Sequence, residues 1–442
     1  MNLPQSVYNC IAALEEAGFE AYCVGGCVRD WLLGIKPHDF DLCTNAAPEE
    51  MHRVFARFPL VTAGEKHGTV GVIIGKEVVE ITAYRTEGAY SDSRHPDWVR
   101  FVPSLKEDLA RRDFTVNAMA YAPGKGLQDP FGGQADLNAG VLRAVGDPNR
   151  RFQEDALRIL RGMRFAARFG LEIEKATFDA MLEEKSRLDA LAKERVFSEL
   201  SQLLLVTDAA HLIVFAPLIA QVIPELESAV GFDQHSPHHA FDIYTHICHV
   251  VEAAPQTLPL RWAALLHDVG KVATYAPDET GRGHFYGHAK VGAQMAEEIL
   301  LRLKAPTALR TQVVDLITRH MVLLEPDKKL LRRRLSQYGV EGVQNLLALQ
   351  RADFGSKGVY GDDPDPGFQE TERILQELLQ EDACLSIKDL AVDGRDLQAL
   401  GYPAGKALGN CLNHLLGLVL EEKLPNEKTA LTAEALRYQE DI

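Results

Sequence analysis

The segment that most constrains the fold is residues 22–41, with the sequence YCVGGCVRDWLLGIKPHDFD. Its pattern predicts a buried strand, a turn at Gly25 and Gly26, a short helix, and a second strand that ends at Asp41. Residues two apart on a strand share a face, so the carboxylates of Asp39 and Asp41 should converge. Converging carboxylates repel each other unless a cation lies between them, and Mg²⁺ prefers such oxygen ligands. An exposed turn with two solvated acids is the alternative for this short motif taken alone.

The same segment predicts a place for phosphate beside the carboxylates. Glycine lets backbone N–H groups approach a phosphate closely, and the N-terminus of the following helix favours anions. Arg29 follows one helical turn later and is a candidate clamp for a triphosphate. Together with Asp39 and Asp41, these features favour a metal-dependent nucleotide site over an exposed turn.

A hairpin is predicted within residues 60–83, where alternating apolar residues are interrupted at Gly75. Glu80 falls on its second strand, where a carboxylate either faces solvent or forms a third acid near the aspartate pair. The pattern leaves both interpretations of Glu80 open. The Gly-, Ser- and Pro-containing stretch at 87–102 is predicted to be a loop.

Two predicted helices carry arginines beside an acid. Residues 107–120 include Arg111-Arg112-Asp113, which indicates either an exposed face with local ion pairs or a guanidinium that meets a nucleotide's phosphates or ribose. Residues 154–168 place several arginines on one helical face, usually a solvated basic surface. An adjoining acid, however, lets such a face offer both acceptor and donor groups to a base edge. The residues concerned are Asp155, Arg158, Arg161 and Arg164.

Histidine and aspartate residues in the second half of the chain predict a metal centre within a helix bundle. Isolated histidines are more often core or surface residues, but His267-Asp268 ends an apolar helix, where an unpaired aspartate would be costly to bury. The candidate ligands are His246, His267, Asp268 and Asp353, with His288 and His320 as possible additions for a two-metal site. Four other histidines of this region, His235, His238, His239 and His249, are predicted to be surface residues.

Charge and composition bound the function without deciding it. The formal net charge of −16 argues against a nucleic-acid binder, but basic residues cluster at 143–168 and 328–334, so binding through a local surface is retained. No run approaches the length of a membrane span, and the N-terminus lacks the pattern of a signal peptide. The seven cysteines include no CxxC pair, which favours reduced thiols and a cytoplasmic location.

Five motifs resemble, in order, those of bacterial CCA-adding enzymes, the class II tRNA nucleotidyltransferases of the polymerase-beta-like superfamily. They are Tyr22–Leu33, the Asp39/Asp41 pair, RRDFT at 111–115, DPFGG at 129–133, and Glu154-Asp155 with Arg158. The resemblance runs from about residue 20 to 170 and resumes weakly near the C-terminus. His246, His267-Asp268 and Asp353 resemble the ligands of an HD-type metal-dependent phosphohydrolase domain.

The resemblance implies an α+β protein with a small mixed-sheet nucleotidyltransferase head, followed by an all-helical body that includes an HD domain. It implies a head at 1–146, a helical neck for nucleobase recognition at 147–225, an HD domain at 226–356, and a helical, tRNA-binding tail at 357–442. A loop around 85–98 would take part in switching from C to A addition.

The resemblance also implies roles for individual residues. Asp39 and Asp41 would hold Mg²⁺ and act in catalysis, with Glu80 as a third carboxylate. The triphosphate would be held by Gly25, Gly26, Arg29 and Arg112. Asp155 and Arg158 would pair with the edge of CTP or ATP, supported by Arg161 and Arg164. A second divalent metal is possible in the HD domain.

The implied activity is the addition of CCA to the 3′ end of tRNA from CTP and ATP, with release of pyrophosphate. A poly(A) polymerase of the same family, or an enzyme that adds only A or only CC, would share the head motifs. A third alternative is an HD phosphohydrolase whose head is inactive.

Overall fold

The computed structural model describes residues 1–87, 99–237, 239–358, 367–381 and 384–440. The chain forms two compact units, residues 1–228 with 299–305, and residues 229–298 with 306–442. The α+β class is confirmed, because the first unit contains a mixed sheet and most of the remaining elements are helices. The finer division into four domains stays a prediction. No helix among the described residues combines the length and apolarity that a bilayer crossing demands.

The strands of the described residues are β1 (Ala21–Val24), β2 (Leu42–Thr44), β3 (Leu60–Val61), β4 (Thr69–Ile74), β5 (Glu77–Ala83), β6 (Arg85–Glu87), β7 (Val99–Phe101), β8 (Ala120–Ala122), β9 (Gly126–Gln128), β10 (Val141–Leu142), β11 (Glu172–Ile173), β12 (Ala276–Pro277) and β13 (Gly283–His284). Seven of them form one sheet in the order β3-β4-β5-β2-β1-β8-β9. Only the β2–β5 pair of this sheet is parallel.

The α-helices of the described residues are α1 (Gln5–Glu16), α2 (Gly26–Leu32), α3 (Pro48–Val54), α4 (Leu105–Ala110), α5 (Gly133–Ala139), α6 (Pro148–Glu154), α7 (Leu157–Phe169), α8 (Lys175–Glu183), α9 (Lys193–Leu204), α10 (Ala209–Val214), α11 (Ala216–Val222), α12 (Ile243–Ala253), α13 (Leu258–Leu266), α14 (His288–Arg302), α15 (Thr307–Arg319), α16 (Lys328–Gly355), α17 (Phe368–Gln380), α18 (Gly394–Ala399), α19 (Lys406–Leu420) and α20 (Lys428–Glu440). A backbone kink at Gly339 interrupts α16.

The beginning of the chain folds as its pattern predicts. All four residues of β1 are buried in the sheet, and α2 follows immediately after Gly25. The apolar face of α1 is buried, including Val7, Ile11 and Leu14. Strands β4 and β5 form the predicted hairpin, with Gly75 in the left-handed region at φ 66°. The local sequence therefore carries enough information to build the central part of the sheet.

The predicted second strand is wrong in its bounds, because β2 begins at Leu42, after the two aspartates. Asp41 nevertheless stays next to β1, since the N–H of Val24 donates to its carbonyl over 3.0 Å. The predicted loop at 87–102 is wrong at its ends, where β6 and β7 pair. Most of that loop, and of the predicted switching loop at 85–98, lies outside the described residues.

Two predicted helices are shorter than expected. The helix predicted at 107–120 ends at Ala110, because Phe114 forms a bridge to Ala144 and the chain then enters β8. The helix predicted at 154–168 is broken at Asp155, which is extended at φ −148° between α6 and α7. Tertiary pairing in the first case, and a side-chain cap in the second, override helix propensity.

Candidate active site

Four carboxylates line one cavity of the first unit, those of Asp39, Asp41, Glu77 and Glu80. In the parallel pair of β2 and β5, Leu42 faces Ile81, so the positions just before this pair are Asp41 and Glu80. A cavity of about 530 Å³ is lined by Asp39, Asp41 and Glu80. Glu80 is exposed and also adjoins the aspartates, so both interpretations left open by its sequence pattern hold together.

The electrostatics of this cavity fit a divalent cation. Enough protein surrounds the carboxyl of Asp41 for burial to raise its pKa, although the side chain reaches the cavity. The negative charges of Glu80 and Asp39 raise the pKa of Asp41 further, whereas the charge of Arg112 lowers it. Carboxylates that lie close together oppose each other's ionisation. A hard cation, which prefers oxygen ligands, stabilises their charged forms.

The glycine turn lies directly under an arginine. Gly25 has φ 74° and ψ −128°, a conformation that residues with a side chain rarely adopt. A β-carbon at this position would lie 2.9 Å from Nη1 of Arg112. Nη2 of Arg112 lies 3.6 Å from Oδ2 of Asp108, and its buried Nε has no hydrogen-bond partner within the described part of the chain. The Nη1 end of Arg112 is therefore the part of the side chain that lies against the turn.

Arg29 is held by other side chains of the protein. Its guanidinium donates to Oδ1 of Asp30 over 2.6 Å and to Oδ1 of Asn117 over 2.6 Å. It also stacks on the ring of Phe169, with 4.3 Å to the centroid. Arg29 is 5% exposed, so its proposed contact with a triphosphate stays a prediction.

Arg158 and Arg164 of the basic stripe on α7 are buried, Arg161 is partly exposed, and all three are paired with protein groups, so the interpretation of the stripe as a solvated face is wrong. Arg158 is 7% exposed and donates to the carbonyl of Arg111 over 2.9 Å and to Glu154 over 3.2 Å. Arg164 donates to Glu199 over 2.7 Å. Packing against protein groups fixes these guanidinium groups in place before any ligand arrives.

Asp155 lies at the start of α7, where its Oδ1 accepts from the N–H of Leu157 over 3.0 Å. Arg161 pairs with Asp113 through two hydrogen bonds of 2.9 and 2.6 Å. The site residues predicted on α7 thus lie at its first turns and along one face, and their contact with a base edge stays a prediction.

Asp113 should make the stability of the folded protein depend on pH. Burial alone would raise its pKa, but Arg161 and a hydrogen bond from Asn117 outweigh burial and lower the pKa to about 2, from 3.8 in the unfolded chain. The stabilisation is therefore complete above pH 4 and is lost as the pH falls toward 2. We expect Asp113→Asn to be less stable at neutral pH by about 1–3 kcal/mol and to lose less stability on acidification. Urea unfolding across this pH range measures the free energy of unfolding of both proteins, and Asp179→Asn, at an exposed position, is the control. If the free energies of wild type and Asp113→Asn changed with pH in parallel, the prediction would be contradicted.

The second unit brings the predicted metal ligands together. His246 on α12 has Nε2 3.0 Å from Oδ1 of Asp353 on α16 and 3.6 Å from Oδ2 of Asp268. His267, which follows α13, has Nε2 3.2 Å from the same oxygen of Asp268. Among the described residues, the buried Nε2 atoms of His246 and His267 face these carboxylate oxygens and no hydrogen-bond donor.

The same aspartate also meets a second pair of histidines. Oδ1 of Asp268 lies 3.6 Å from Nε2 of His288, which lies 3.1 Å from Nε2 of His320. Ligand atoms of His246, His267 and Asp268 form one group within 4.8 Å of one another, and those of Asp268, His288 and His320 form another. The two additional histidines of the sequence prediction are therefore adjacent to the predicted centre.

Main-chain carbonyls set the orientation of the four imidazoles. Each Nδ1 lies 2.7–3.2 Å from a carbonyl oxygen, those of Ser356, Ala264, Phe285 and Ile317 for His246, His267, His288 and His320. A carbonyl only accepts, so each Nδ1 carries the hydrogen and each Nε2 of a neutral ring presents a lone pair to the centre. Burial lowers the pKa of His320 to about 4, whereas for His267 the lowering by burial is outweighed, chiefly by the charge of Asp268, and the pKa is raised. Inward lone pairs beside carboxylates fit one or two divalent cations.

Two further residues of this centre were not predicted. His239, expected at the surface, has its ring 5.2 Å from that of His246, and burial lowers its pKa to about 3. Lys271 is buried and its Nζ lies 2.7 Å from Oδ2 of Asp268. His239 lies in a loop without periodicity, so sequence offered no signal; Lys271, four residues after His267, is a cation that could have been noticed. His238 lies outside the described residues.

The predicted basic cluster at 328–334 is largely neutralised by acids from distant parts of the second unit. Lys328 and Arg332 pair with Glu381, Arg332 also pairs with Glu422, and Arg333 pairs with Glu421. These carboxylates come from the ends of α17 and α19. The start of α16 is therefore not an open cationic surface.

Comparison with known families matches three parts of the chain. Residues 21–143 match the poly A polymerase head domain, and residues 170–230 match a probable RNA and SrmB-binding site of polymerase A. Residues 285–435 match a putative second domain of tRNA nucleotidyltransferases.

Individual relatives cover either half or nearly all of the chain. A CCA-adding enzyme of Streptococcus suis is 49% identical over 207 residues, so the matched segment spans about half of each protein, 46% of this chain and 51% of that one. A CCA-adding enzyme of Ligilactobacillus salivarius is 31% identical over 100% of this chain and 98% of its own length. One of Streptococcus mutans is 33% identical over 97% of each.

A solved structure has the same architecture. The Bacillus stearothermophilus CCA-adding enzyme, crystallised with CTP, superposes with a TM-score of 0.73 at 27% identity and covers 100% of this chain and 99% of its own. A Thermotoga maritima CCA-adding enzyme complexed with tRNA, at 22% identity and a TM-score of 0.60, supports the fold.

Proposed function

Because the chain belongs to the CCA-adding enzyme family, we propose that it adds CCA to the 3′ end of tRNA by transferring CMP and AMP from CTP and ATP. The observation that carries the proposal is the cavity lined by Asp39, Asp41 and Glu80. The carbonyl of Asp41 accepts from the N–H of Val24, the residue just before the glycine turn. Relatives that match along nearly their whole length favour this activity over that of a poly(A) polymerase, with which the head motifs are shared.

Asp39, Asp41 and Glu80 would hold Mg²⁺, which would stabilise the attacking and leaving oxygens of the transfer. The 3′-hydroxyl oxygen of tRNA bonds to the α-phosphorus of the nucleotide, and the bond to the β-phosphate oxygen breaks to release pyrophosphate. A carboxylate oxygen of Asp41 accepts the hydroxyl proton. Its place at the cavity beside Asp39 and Glu80 supports this role.

Nucleotide choice would reside at the start of α7. Asp155 and Arg158 would meet the base edge, with Arg161 and Arg164 supporting them, while Gly25, Gly26, Arg29 and Arg112 would hold the phosphates. The contacts of Arg158 with Glu154 and Arg111 support this role, because a base is discriminated best by groups whose orientation is already fixed. The protein would then serve as its own template for C and A.

The tRNA would be recognised through its A-form shape and backbone, by the helical neck at 147–225 and the tail at 357–442. The match of residues 170–230 to a probable RNA-binding model supports the contribution of the neck. We place the reaction in the cytoplasm, in keeping with the free, mostly buried cysteines.

The test is incorporation of each labelled nucleotide into tRNA that lacks its CCA end. We expect C addition with CTP alone and completion of CCA only when ATP is also present. Long A tails without C would reject the proposal in favour of a poly(A) polymerase. Products that stop after CC, or that form only from tRNA ending in CC, would identify one of the partial enzymes.

A second function is proposed for the second unit, namely hydrolysis of a phosphate ester. The buried, unpaired Nε2 atoms of His246 and His267 support it, since such atoms are costly unless a metal engages them. With Asp268 and Asp353 these histidines would hold a divalent metal, which would supply Lewis-acid assistance to hydrolysis. His288 and His320 would hold a second one. Lys271 compensates the charge of Asp268 in this centre.

A further inference from the structure

We infer that Asn117 is a positioning residue that couples the triphosphate end of the head to the base-reading helix α7, and thereby contributes to nucleotide selection. The inference rests on the proposed nucleotidyl transfer and extends it to a residue that itself touches neither the acid cavity nor the start of α7. It arises from a chain of hydrogen bonds that links the glycine turn to Arg29 through the main chain, and Arg29 to Arg161 of α7 through side chains.

The chain of contacts begins at the glycine turn. The N–H of Arg29 donates to the carbonyl of Gly25 over 3.2 Å, so this arginine moves with the turn. Its Nη1 donates to Oδ1 of Asn117 over 2.6 Å. Nδ2 of Asn117 donates to Oδ1 of Asp113 over 3.0 Å, and the other oxygen of Asp113 accepts both hydrogen bonds from Arg161.

Asn117 is suited to this link by its chemistry. A side-chain amide accepts and donates at once, so it can join a guanidinium to a carboxylate without adding charge. Asn117 is 6% exposed and lies between charged partners, so its hydrogen bonds are little weakened by water. The backbone supports the same placement, because its carbonyl lies 3.9 Å from the β-carbon position of Gly25.

The consequence is that a displacement at one end reorients groups at the other. A triphosphate that draws Arg29 or the turn toward itself changes the position of the Asn117 amide. Asp113 follows, because it is held by Asn117 on one oxygen and by Arg161 on the other. The side chains of α7 that contact the base would then adopt the orientation that discriminates between nucleotides only when the phosphates are correctly bound.

Two substitutions of similar size separate this role from simple packing. Asn117→Leu removes both hydrogen bonds. Asn117→Asp keeps the acceptor for Arg29 but places a second carboxylate next to that of Asp113, which repels it. We expect both to lower the ratio of kcat/KM for CTP over that for UTP, on tRNA lacking CCA, by about 10-fold or more, the size expected for hydrogen bonds to charged partners. Asn138→Asp, an exposed amide on α5 of the same unit, is the matched control and should leave this ratio unchanged.

A double-mutant comparison tests the coupling itself. In the wild type, the effects of Arg29→Lys and Arg161→Lys on kcat/KM should be non-additive, and in the Asn117→Leu background they should add. Coupling that persists without the amide would be carried by the ring of Phe165, which both guanidinium groups approach at 5.2 Å, and would overturn the inference. An unchanged CTP/UTP ratio in both Asn117 variants, or equal losses for all nucleotides, would also overturn it. A wild-type protein that incorporates neither CTP nor ATP would instead reject the proposed function.

Discussion

Replacing Asp39 and Asp41 together by asparagine should lower nucleotide incorporation into tRNA by about 1,000-fold or more, with little change in thermal unfolding. The amides retain the size of the side chains but remove the charge that would hold Mg²⁺ and the proton acceptor of the transfer. Both side chains are exposed at a cavity, and relief of the repulsion among its acids offsets the loss of any favourable contact. Incorporation of labelled CMP and AMP under single-turnover conditions is the measurement.

The matched control for this experiment is Glu77→Gln, which removes a carboxylate that lines the same cavity. Because Glu77 is not proposed to touch metal or nucleotide, its replacement should leave incorporation intact. A double variant that remains as active as wild type would show that the chemistry takes place elsewhere. Equal losses in the control and the double variant would mean that only the total charge of the cavity matters.

Replacing Asp268 by asparagine should abolish metal binding and phosphohydrolase activity in the second unit while nucleotide addition continues. Asp268 is the one ligand shared by both groups of histidines among the described residues, so its loss affects both at once. Breaking a buried charged network also costs about 3–5 kcal/mol, because Lys271 loses its acidic partner and keeps only a neutral one, Gln234, among the described residues. Metal content, hydrolysis of a generic phosphate ester and CMP incorporation would be measured on the same preparation.

Unfolding with and without a chelator separates the loss of metal from the loss of the ion pair. The wild type should unfold at a lower temperature when chelated, and Asp268→Asn should not respond, because a ligand that binds only the folded state stabilises it. Asp315→Asn, an acid on the surface of α15, is the control. Metal content equal to wild type in Asp268→Asn would refute the assignment of the centre.

The head could be predicted from sequence where local pattern and tertiary structure agree. Strand β1, the Gly25 turn and α2 required only apolar residues, glycine and helix formers in succession. The helix predicted through Asp113 failed because the N–H of Phe114 is satisfied by the Asp113 carboxylate and because Phe114 pairs with a residue 30 positions later. No local signal carries such a pairing.

The break before α7 was predictable in principle. Aspartate is favoured at helix starts, and the Asp155 carboxylate accepts the N–H of Leu157 in this way. The surrounding residues are good helix formers, so the pattern concealed the start.

Arg332 and Glu422, which pair, are 90 positions apart along the chain, and no sequence pattern predicts such a pairing. Convergence of the histidines likewise depended on the packing of helices that are distant in sequence.

The carboxylates that neutralise the start of α16 bear on how the protein meets the many polyanions of a cell. Arg332 and Arg333 are engaged by Glu381, Glu421 and Glu422, and the chain as a whole is strongly acidic. Messenger and ribosomal RNA would therefore adsorb to it only weakly, since indiscriminate attachment to a phosphate backbone needs open cations. Such a protein would dissociate quickly from most RNA. It would remain bound only to an RNA whose shape matches its surface and adds to the electrostatic attraction.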